Sequence, residues 1–251
     1  MKTFSITMAS YNRADLLANT LRTIQTQTRQ PYEIIVVEDG YDGGKTVEVC
    51  RAFHQGDPYL PVRYIRRTNR PDMPYSNAAI PRNIGIRAAV GDILIIQNPE
   101  VRFTKPTDLE NIVGPVEADA SIACCAPCEG LKSDGSHERW LCDPKLWNYN
   151  HFCMAVERQR IFDMGGFDEQ YIGYGWDDHE FNWRLQHSGM TFQWAKDVIT
   201  QHQWHEVRPS PRDAENARLN SERCATMSAE VRAGKRTVEA NIGRDWGNVD
   251  S

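Results

Sequence analysis

The sequence has no long apolar run. No stretch approaches the roughly 18 to 20 apolar residues that span a bilayer, and residues 1–10 lack the basic start and apolar stretch of a signal peptide. We therefore expect no membrane segment and a cytoplasmic location.

A disulfide framework and a zinc motif are also missing. The seven cysteines are odd in number and clustered, without paired spacing. Cys125 and Cys128 form a CxxC, but no second CxxC or matched His pair accompanies it. Buried, reduced thiols are the expectation.

No block of Lys or Arg is present. The chain has 29 basic and 34 acidic side chains and a net charge of -5, which argues against binding to a nucleic-acid backbone by bulk charge. With 251 residues, 40% of them hydrophobic, it has the proportions of a soluble globular protein with one main domain.

Strand and helix patterns alternate over the first 100 residues. The strands are predicted at Thr3–Ala9, Glu33–Val37, Val62–Arg66 and Asp92–Ile96. Helical spacing follows each of the first three, over 16–24, 45–54 and from 78 to 90. This order predicts a doubly wound parallel sheet, in which ligands collect beyond the carboxyl ends of the strands.

The second half gives weaker patterns. A helix and then a strand are predicted within 109–126, an irregular segment with a turn at 133–135 within 130–147, and a helix from Asp177 to His187. Strands are predicted at 191–194 and 198–202. A charged helix over 213–233 is expected to be a solvated cover.

Three sets of residues are candidates for ligand binding or catalysis. Asp39 follows a strand near Tyr11 and Arg13 and suits a nucleobase or ribose, although Glu-Asp-Gly also forms turns without a ligand. Glu100 follows another strand and, with His202 and His205, offers one oxygen and two imidazoles for manganese. Structural or surface histidines are the alternative.

The third set is the acidic segment 177–180. Adjacent carboxylates Asp177 and Asp178, next to Trp176, could have split pKa values, with one binding a substrate and the other acting as a base. The alternative is an ordinary acidic helix N-terminus.

The opening SITMASYNRADLL, the strand end EIIVVEDG and the segment AAIPRNIGIRAAVGDILIIQNPEV resemble the GT-A-fold glycosyltransferases of family 2 over nearly the first 105 residues. The resemblance places Asn98-Pro99-Glu100 on the Asp-x-Asp metal motif, with Asn in place of the first Asp. It implies that Asp39 bonds the uracil, and it assigns the remaining donor contacts to Ala9, Tyr11, Arg13, Arg82, Asn83 and Asn98.

A second resemblance covers the later segment. GGFDEQYIGYGWDDHEFNWRLQHSG is similar to a pattern shared by animal galactosyltransferases and polypeptide N-acetylgalactosaminyltransferases. It places Asp177 on the acceptor-binding carboxylate and Asp178 on the catalytic base. HQWH is similar to a metal-binding segment near the end of the galactosyltransferases, in which a Met and a His lie three residues apart. His202 takes the position of the Met and His205 that of the His.

These resemblances imply an α/β GT-A fold: a single Rossmann-like, mostly parallel sheet flanked by helices, with a C-terminal helical extension. The expected domains are a glycosyltransferase domain at 1–205, with a nucleotide-binding half at 1–105 and an acceptor half at 106–205, followed by a lid and extension at 206–251. The lid is expected at Pro209–Asp213.

The implied activity is transfer of a hexose or N-acetylhexosamine from a UDP-sugar to an acceptor hydroxyl, with Mn²⁺ or Mg²⁺, inversion by Asp178, and Trp176 stacked on the sugar. Alternatives are a retaining enzyme, an inactive nucleotide-sugar-binding protein, and a nucleotidyltransferase, which ranks last because MASYNR lacks a Gly-rich loop.

The identity of the acceptor is open among glycan, protein, lipid-linked sugar and modified nucleic acid. We expect loops at 72–77 and 133–147 to select it. Donor sugar and oligomeric state are likewise open.

Overall fold

A computed structural model describes residues 1–68, 78–145, 152–206 and 212–249. Its strands are β1 (Phe4–Ser10), β2 (Glu33–Asp39), β3 (Val62–Arg67), β4 (Ile93–Gln97), β5 (Val101–Arg102), β6 (Ile122–Cys125), β7 (Cys128–Leu131), β8 (His137–Cys142), β9 (Cys153–Glu157), β10 (Thr191–Trp194) and β11 (Thr200–His202). Its helices are α1 (Ala14–Gln25), α2 (Lys45–Gln55), α3 (Ala79–Ala88), α4 (Asp108–Ala118), α5 (Arg158–Asp163), α6 (Asp177–His187) and α7 (Asp213–Arg232).

The main sheet has seven strands in the order β10-β6-β9-β4-β1-β2-β3. All neighbouring pairs are parallel except those of β9, which runs antiparallel to β4 and β6. The predicted mostly parallel sheet is therefore confirmed. Strand β9 was not predicted from the sequence, and it inserts between two strands that precede it in the chain.

Both faces of this sheet are covered, as the continuous apolar runs of β2 and β4 require. Ile34 and Val36 pack on one side with α1, whereas Ile35 and Val37 pack on the other side with α3. The helix α1 forms because Leu17, Leu21 and Ile24 recur on one buried face. This packing on both faces holds the carboxyl ends of the parallel strands β1, β2 and β4 at one edge of the sheet.

A second, four-stranded sheet, in the order β5-β11-β7-β8, was not predicted. The predicted turn at 133–135 is present, and Gly135 N donates to the carbonyl of Lys132. The surrounding segment is not irregular as expected, because β7 and β8 form an antiparallel pair around the turn. Residues 146 and 147 of that segment lie outside the described residues.

Helix α7 packs against the loop that precedes α6. Asn220, Cys224 and Met227 are buried on its inner side, whereas most of its other side chains are at least partly exposed, so it is a cover with one packed face. Within the described ranges, no helix combines the length and the apolar character that crossing a membrane requires.

Candidate active site

The candidate site begins at the carboxyl ends of β1, β2 and β4. Ala9 is half-buried near the end of β1, the Tyr11 side chain is exposed beyond it, and Arg13 directly precedes α1. Asn12 adopts a φ of 52°, a left-handed conformation that Asn tolerates better than most residues. This sharp turn after β1 presents Tyr11 and Arg13 at the edge where ligands collect in such sheets.

Asp39 ends β2 next to Arg67, which ends β3. The two residues are paired in register, and Arg67 Nη1 lies 3.0 Å from Asp39 Oδ1. Both side chains are buried, so each charge needs the other for compensation. Arg67 was not predicted as a site residue, because its only signal in the sequence is its position at the end of the neighbouring strand.

Glu100, His202 and His205 come together, as predicted. One ligand atom from each lies within 4.8 Å of the others, and within the described part of the chain they are the one group of this kind. Glu100 Oε1 is 3.3 Å from His202 Nε2, and Glu100 Oε2 is 3.9 Å from Arg13 Nε. One carboxylate and two imidazoles fit Mn²⁺ in ligand type.

The charges of this cluster suit a cation. Burial of Glu100 would raise its pKa, but the hydrogen bond with His202 and the charge of Arg13 outweigh burial and lower the pKa to about 2. Burial, followed by the charge of Arg13, lowers the pKa of His205. An ionised carboxylate and a neutral imidazole are the protonation states in which both residues bind metals.

Gln203 holds this cluster in place. Its amide nitrogen donates to the carbonyls of Leu16 and Glu100 at 3.1 and 3.2 Å and to Thr20 Oγ1 at 3.2 Å. Asn19 Nδ2 donates to its Oε1 at 2.9 Å. Gln203 therefore ties the end of β11 to α1 and to the turn after β4, a role the sequence did not indicate.

Arg82 joins the turn after β4 to the N-terminus of α6. Its Nη1 donates to Asp177 Oδ2 at 2.8 Å and to Asp178 Oδ1 at 2.7 Å, and its Nη2 is 3.5 Å from Asn98 Oδ1. One guanidinium thus links two carboxylates of α6 to the turn that carries Glu100. The two sets of residues predicted from separate segments form one site.

Asp177 and Asp178 differ in environment. The side chain of Asp177 is 14% exposed and that of Asp178 is 29% exposed. Burial and the charge of Asp178 raise the pKa of Asp177 to about 6, although Arg82 opposes the shift. Asp178 is therefore the carboxylate that an acceptor reaches more easily.

Trp176 precedes these carboxylates in a strained position. Its φ is 71°, a left-handed value that is rare for a bulky residue. The indole is partly exposed and lies beside the His179 ring, at a centroid distance of 5.3 Å. Asn220 of α7 donates to the carbonyls of Ile172 and Gly175 and so fixes the loop that imposes this conformation.

Asn83 has a different role from the predicted one. It is fully buried, donates to the Phe167 carbonyl and to Glu169 Oε1, and accepts from Phe167 N. Since both ends of its amide are used within the protein, the expected contact with the donor does not fit this geometry. Asn83 instead anchors the turn after α5 beneath the site.

The thiols are all free and buried, as expected, and they form no metal cluster within the described residues. Of the predicted acceptor loops, 72–77 lies outside the described residues, as do Pro209, Ser210 and Pro211 of the predicted lid. The lid and the domain boundary at 205/206 stay predictions.

Two family models match the chain. The model described as glycosyl transferase family 2 matches residues 5–166, and the model described as the N-terminal domain of galactosyltransferase matches residues 138–206. The first covers the strand ends and Arg82, whereas the second covers the acidic helix and both histidines. Together they match the two resemblances found in the sequence.

Among curated proteins, the chain is 25% identical to chondroitin synthase from Escherichia coli over 244 residues, covering 79% of this chain and 34% of that protein. Among solved structures, it resembles GalNAc-T7 with UDP, GalNAc and Mn²⁺ (TM-score 0.65, 16% identity, 84% of this chain and 45% of that one). It also resembles the mannosyltransferase PcManGT from Pyrobaculum calidifontis with GDP-Man and Mn²⁺ (TM-score 0.64, 18% identity, 94% and 65%).

These comparisons confirm the predicted GT-A fold and glycosyltransferase class. The chain spans only about a third of the chondroitin synthase and less than two thirds of either solved chain. The donors and acceptors of these relatives are therefore properties of those proteins and are not assigned to this chain by the comparison.

Proposed function

The chain belongs to glycosyl transferase family 2, and on that basis we propose that it moves a hexose or N-acetylhexosamine from a UDP-sugar to an acceptor hydroxyl. The observation that carries this proposal is the single site formed by Glu100, His202 and His205 together with Arg82 and its two carboxylates. It combines a group of side chains suited to a cation, which stabilises a diphosphate leaving group, with two carboxylates, one of which can accept the proton of an acceptor hydroxyl.

Recognition of the base is assigned to Asp39 and Arg67. A carboxylate accepts a ring N–H, and a neighbouring guanidinium donates to a ring carbonyl. Uracil and guanine present this combination on one edge, whereas cytosine presents an unprotonated ring nitrogen there. Tyr11 is exposed at the same edge and offers an aromatic face to the base.

The cation site fits a divalent ion through its ligand types. Glu100, His202 and His205 would hold it, and a bound ion would neutralise the charge that develops on the leaving nucleotide diphosphate. Glu100 supplies the anionic oxygen that the Asp-x-Asp motif normally provides. The cation site therefore keeps an anionic ligand even though Asn98 stands in place of the first Asp of the motif. This geometry weakens the alternative of an inactive binding protein.

Acceptor activation is assigned to α6. Asp178, the more exposed carboxylate, takes the proton of the acceptor hydroxyl as that oxygen attacks the anomeric carbon from the face opposite the leaving group, which gives inversion. Asp177 accepts a hydrogen bond from a second acceptor hydroxyl. Arg82 orients both carboxylates, and Trp176 stacks on the sugar ring.

The direct test is thermal unfolding with UDP, GDP and CMP, each with and without Mn²⁺. Ligands that bind only the folded state raise the midpoint. We expect the largest shift with UDP plus Mn²⁺, and His205→Ala should lose the Mn²⁺-dependent part because one imidazole ligand is gone. His187→Ala is the matched control, since His187 lies at the far end of α6.

No shift with any nucleotide in a folded sample would reject the proposal. A shift with GDP alone would keep the transferase and change its donor. A Mn²⁺-dependent shift in His205→Ala equal to that of the wild type would remove the metal assignment.

A further inference from the structure

A groove of about 280 Å³ lies between α7 and the loop that precedes α6. This volume is near the lower end of the roughly 300–1,000 Å³ common for small-molecule sites. One wall is a single face of α7 with i, i+3, i+4 and i+7 spacing, and the other wall is the loop. The lining residues are Asn216, Leu219, Asn220 and Arg223 on the helix and Gln170 and Ile172 on the loop.

The lining combines polar and apolar groups in a way that suits a sugar. Leu219 and Ile172 are 47% and 57% exposed, which is high for large aliphatic side chains that both line one groove. The amides of Asn216 and Gln170 lie beside them, whereas the Asn220 amide is used by the carbonyls of the loop. A pyranose ring has apolar C–H surfaces and a rim of hydroxyls, so aliphatic groups cover the ring while amides bond the rim.

Arg223 gives the groove a positive charge. Its Nη2 donates to Gln170 Oε1 at 2.5 Å, and its guanidinium is 5.9 Å from the Tyr171 ring. Among the described residues, no carboxylate lies within ion-pair distance of Arg223, whereas Arg218, five residues earlier, is paired with Glu222. Its partners among the described residues are thus a neutral amide and an aromatic ring, and a half-buried guanidinium without a carboxylate partner there favours an anionic ligand.

The groove lies close along the chain to the carboxylates of α6. Five residue steps separate Ile172 from Asp177, so their Cα atoms are at most about 18 Å apart. Tyr174 and Trp176, both with exposed rings, lie between them along the chain. A saccharide a few units long would reach from the carboxylates to the groove over this aromatic surface.

We propose that this groove binds an acidic sugar unit of a saccharide acceptor, a few units away from the hydroxyl that reacts. The carboxylate of that unit pairs with Arg223, and its ring lies against Leu219 and Ile172. This inference rests on the proposed function and narrows the open acceptor class to an acidic glycan.

The test is retention of fluorescently labelled wild-type protein, with UDP and Mn²⁺, on a printed array of neutral and uronate-containing oligosaccharides of several lengths. We expect retention on acidic chains longer than one unit. Arg223→Gln should lower it about 10- to 100-fold, because a hydrogen bond to a charged group is lost. Arg218→Gln, the same change on the same helix outside the groove, should retain wild-type binding.

Leu219→Ala is a second variant, at a half-exposed position where folding is preserved, and it should also weaken retention. Equal retention on neutral and acidic chains, unchanged retention in Arg223→Gln, or no retention would overturn the inference. The nucleotide-dependent thermal shift separates the two proposals. If a nucleotide raises the unfolding midpoint but the array retains no protein, only the groove assignment fails. If no nucleotide raises the midpoint, the proposed function fails as well.

Discussion

Arg82 is the residue on which the two halves of the site meet. Its guanidinium holds Asp177 and Asp178 side by side, and this contact makes both carboxylates available at one place. Arrangements of this kind divide the work between two acids, one binding and one accepting a proton. The division assigned here follows from exposure, since Asp178 is the more accessible of the two.

Asp178→Asn should lower kcat for transfer, or for donor hydrolysis with water as acceptor, by about 100- to 10,000-fold, because the proposed general base is lost. The UDP-dependent thermal shift should remain. Asp177→Asn should mainly raise the KM for the acceptor. A larger kcat loss in Asp177→Asn would exchange the two roles, and a product with the donor's anomeric configuration would reject the base assignment.

The kcat/KM of the enzyme should depend on pH through the ionisation of Asp177. The pKa of Asp177, raised to about 6 chiefly by burial, means that this carboxyl becomes protonated and neutral as the pH falls below 6. It then no longer accepts hydrogen bonds as a carboxylate, so kcat/KM should fall on the acid side of about pH 6. The measurement is a pH profile at saturating Mn²⁺. In Asp177→Asn this acid limb should disappear, and an identical limb in the variant would assign it to another group.

Among the elements, β11 brings the residues of the candidate cation site together. Its antiparallel pairing with β5 places His202 opposite Val101, one residue after Glu100. Gln201 and Gln203 flank His202 but have different partners, because Gln203 lies just beyond β11 and is buried against α1, whereas Gln201 contacts Arg102 and Glu129.

Gln203→Ala should lower the free energy of unfolding by about 1–3 kcal/mol, because buried hydrogen-bond partners lose their bonds. It should also weaken Mn²⁺ binding about 10- to 100-fold, as loss of a group that orients metal ligands does. Denaturant unfolding and a Mn²⁺ titration measure these effects. Gln201→Ala is the matched control, and an equal loss of Mn²⁺ affinity in it would contradict the positioning role of Gln203.

Across the whole molecule, the stability comes from packing and not from cross-links. Five thiols lie in the strands where the two sheets meet, and all seven of the chain are free and buried. Burial raises the pKa of Cys124 and of Cys128 to about 12, so they are almost entirely protonated near neutral pH.

In protein unfolded in guanidinium, all seven thiols should react with a disulfide reagent such as DTNB at pH 8. The thiols of the native protein should react at least about a hundredfold more slowly, because they are buried and protonated. The unfolding midpoint should not depend on added reductant. Rapid reaction of several thiols in the folded protein, or a midpoint that falls on reduction, would contradict this picture.

Local information in the chain was sufficient for the strand ends and for α6. Asp39 and Glu100 follow buried runs whose period and polar punctuation are visible over a few residues, and Asp177 begins a helix that ends before Gly189. The residue types suggested a partnership of Glu100 with His202 and His205, and the family resemblance strengthened that hypothesis. The match to family models then confirmed the fold and enzyme class.

Long-range strand pairing decided the remaining features. The insertion of β9, the pairing of β5 with β11 and the contact of Arg67 with Asp39 depend on which distant segments become neighbours. Asn83 shows the same limit, because its burial beneath the 165–169 turn depends on contacts more than eighty positions away. Periodicity reports the environment of a residue within its own element, whereas its partners are chosen when the elements pack.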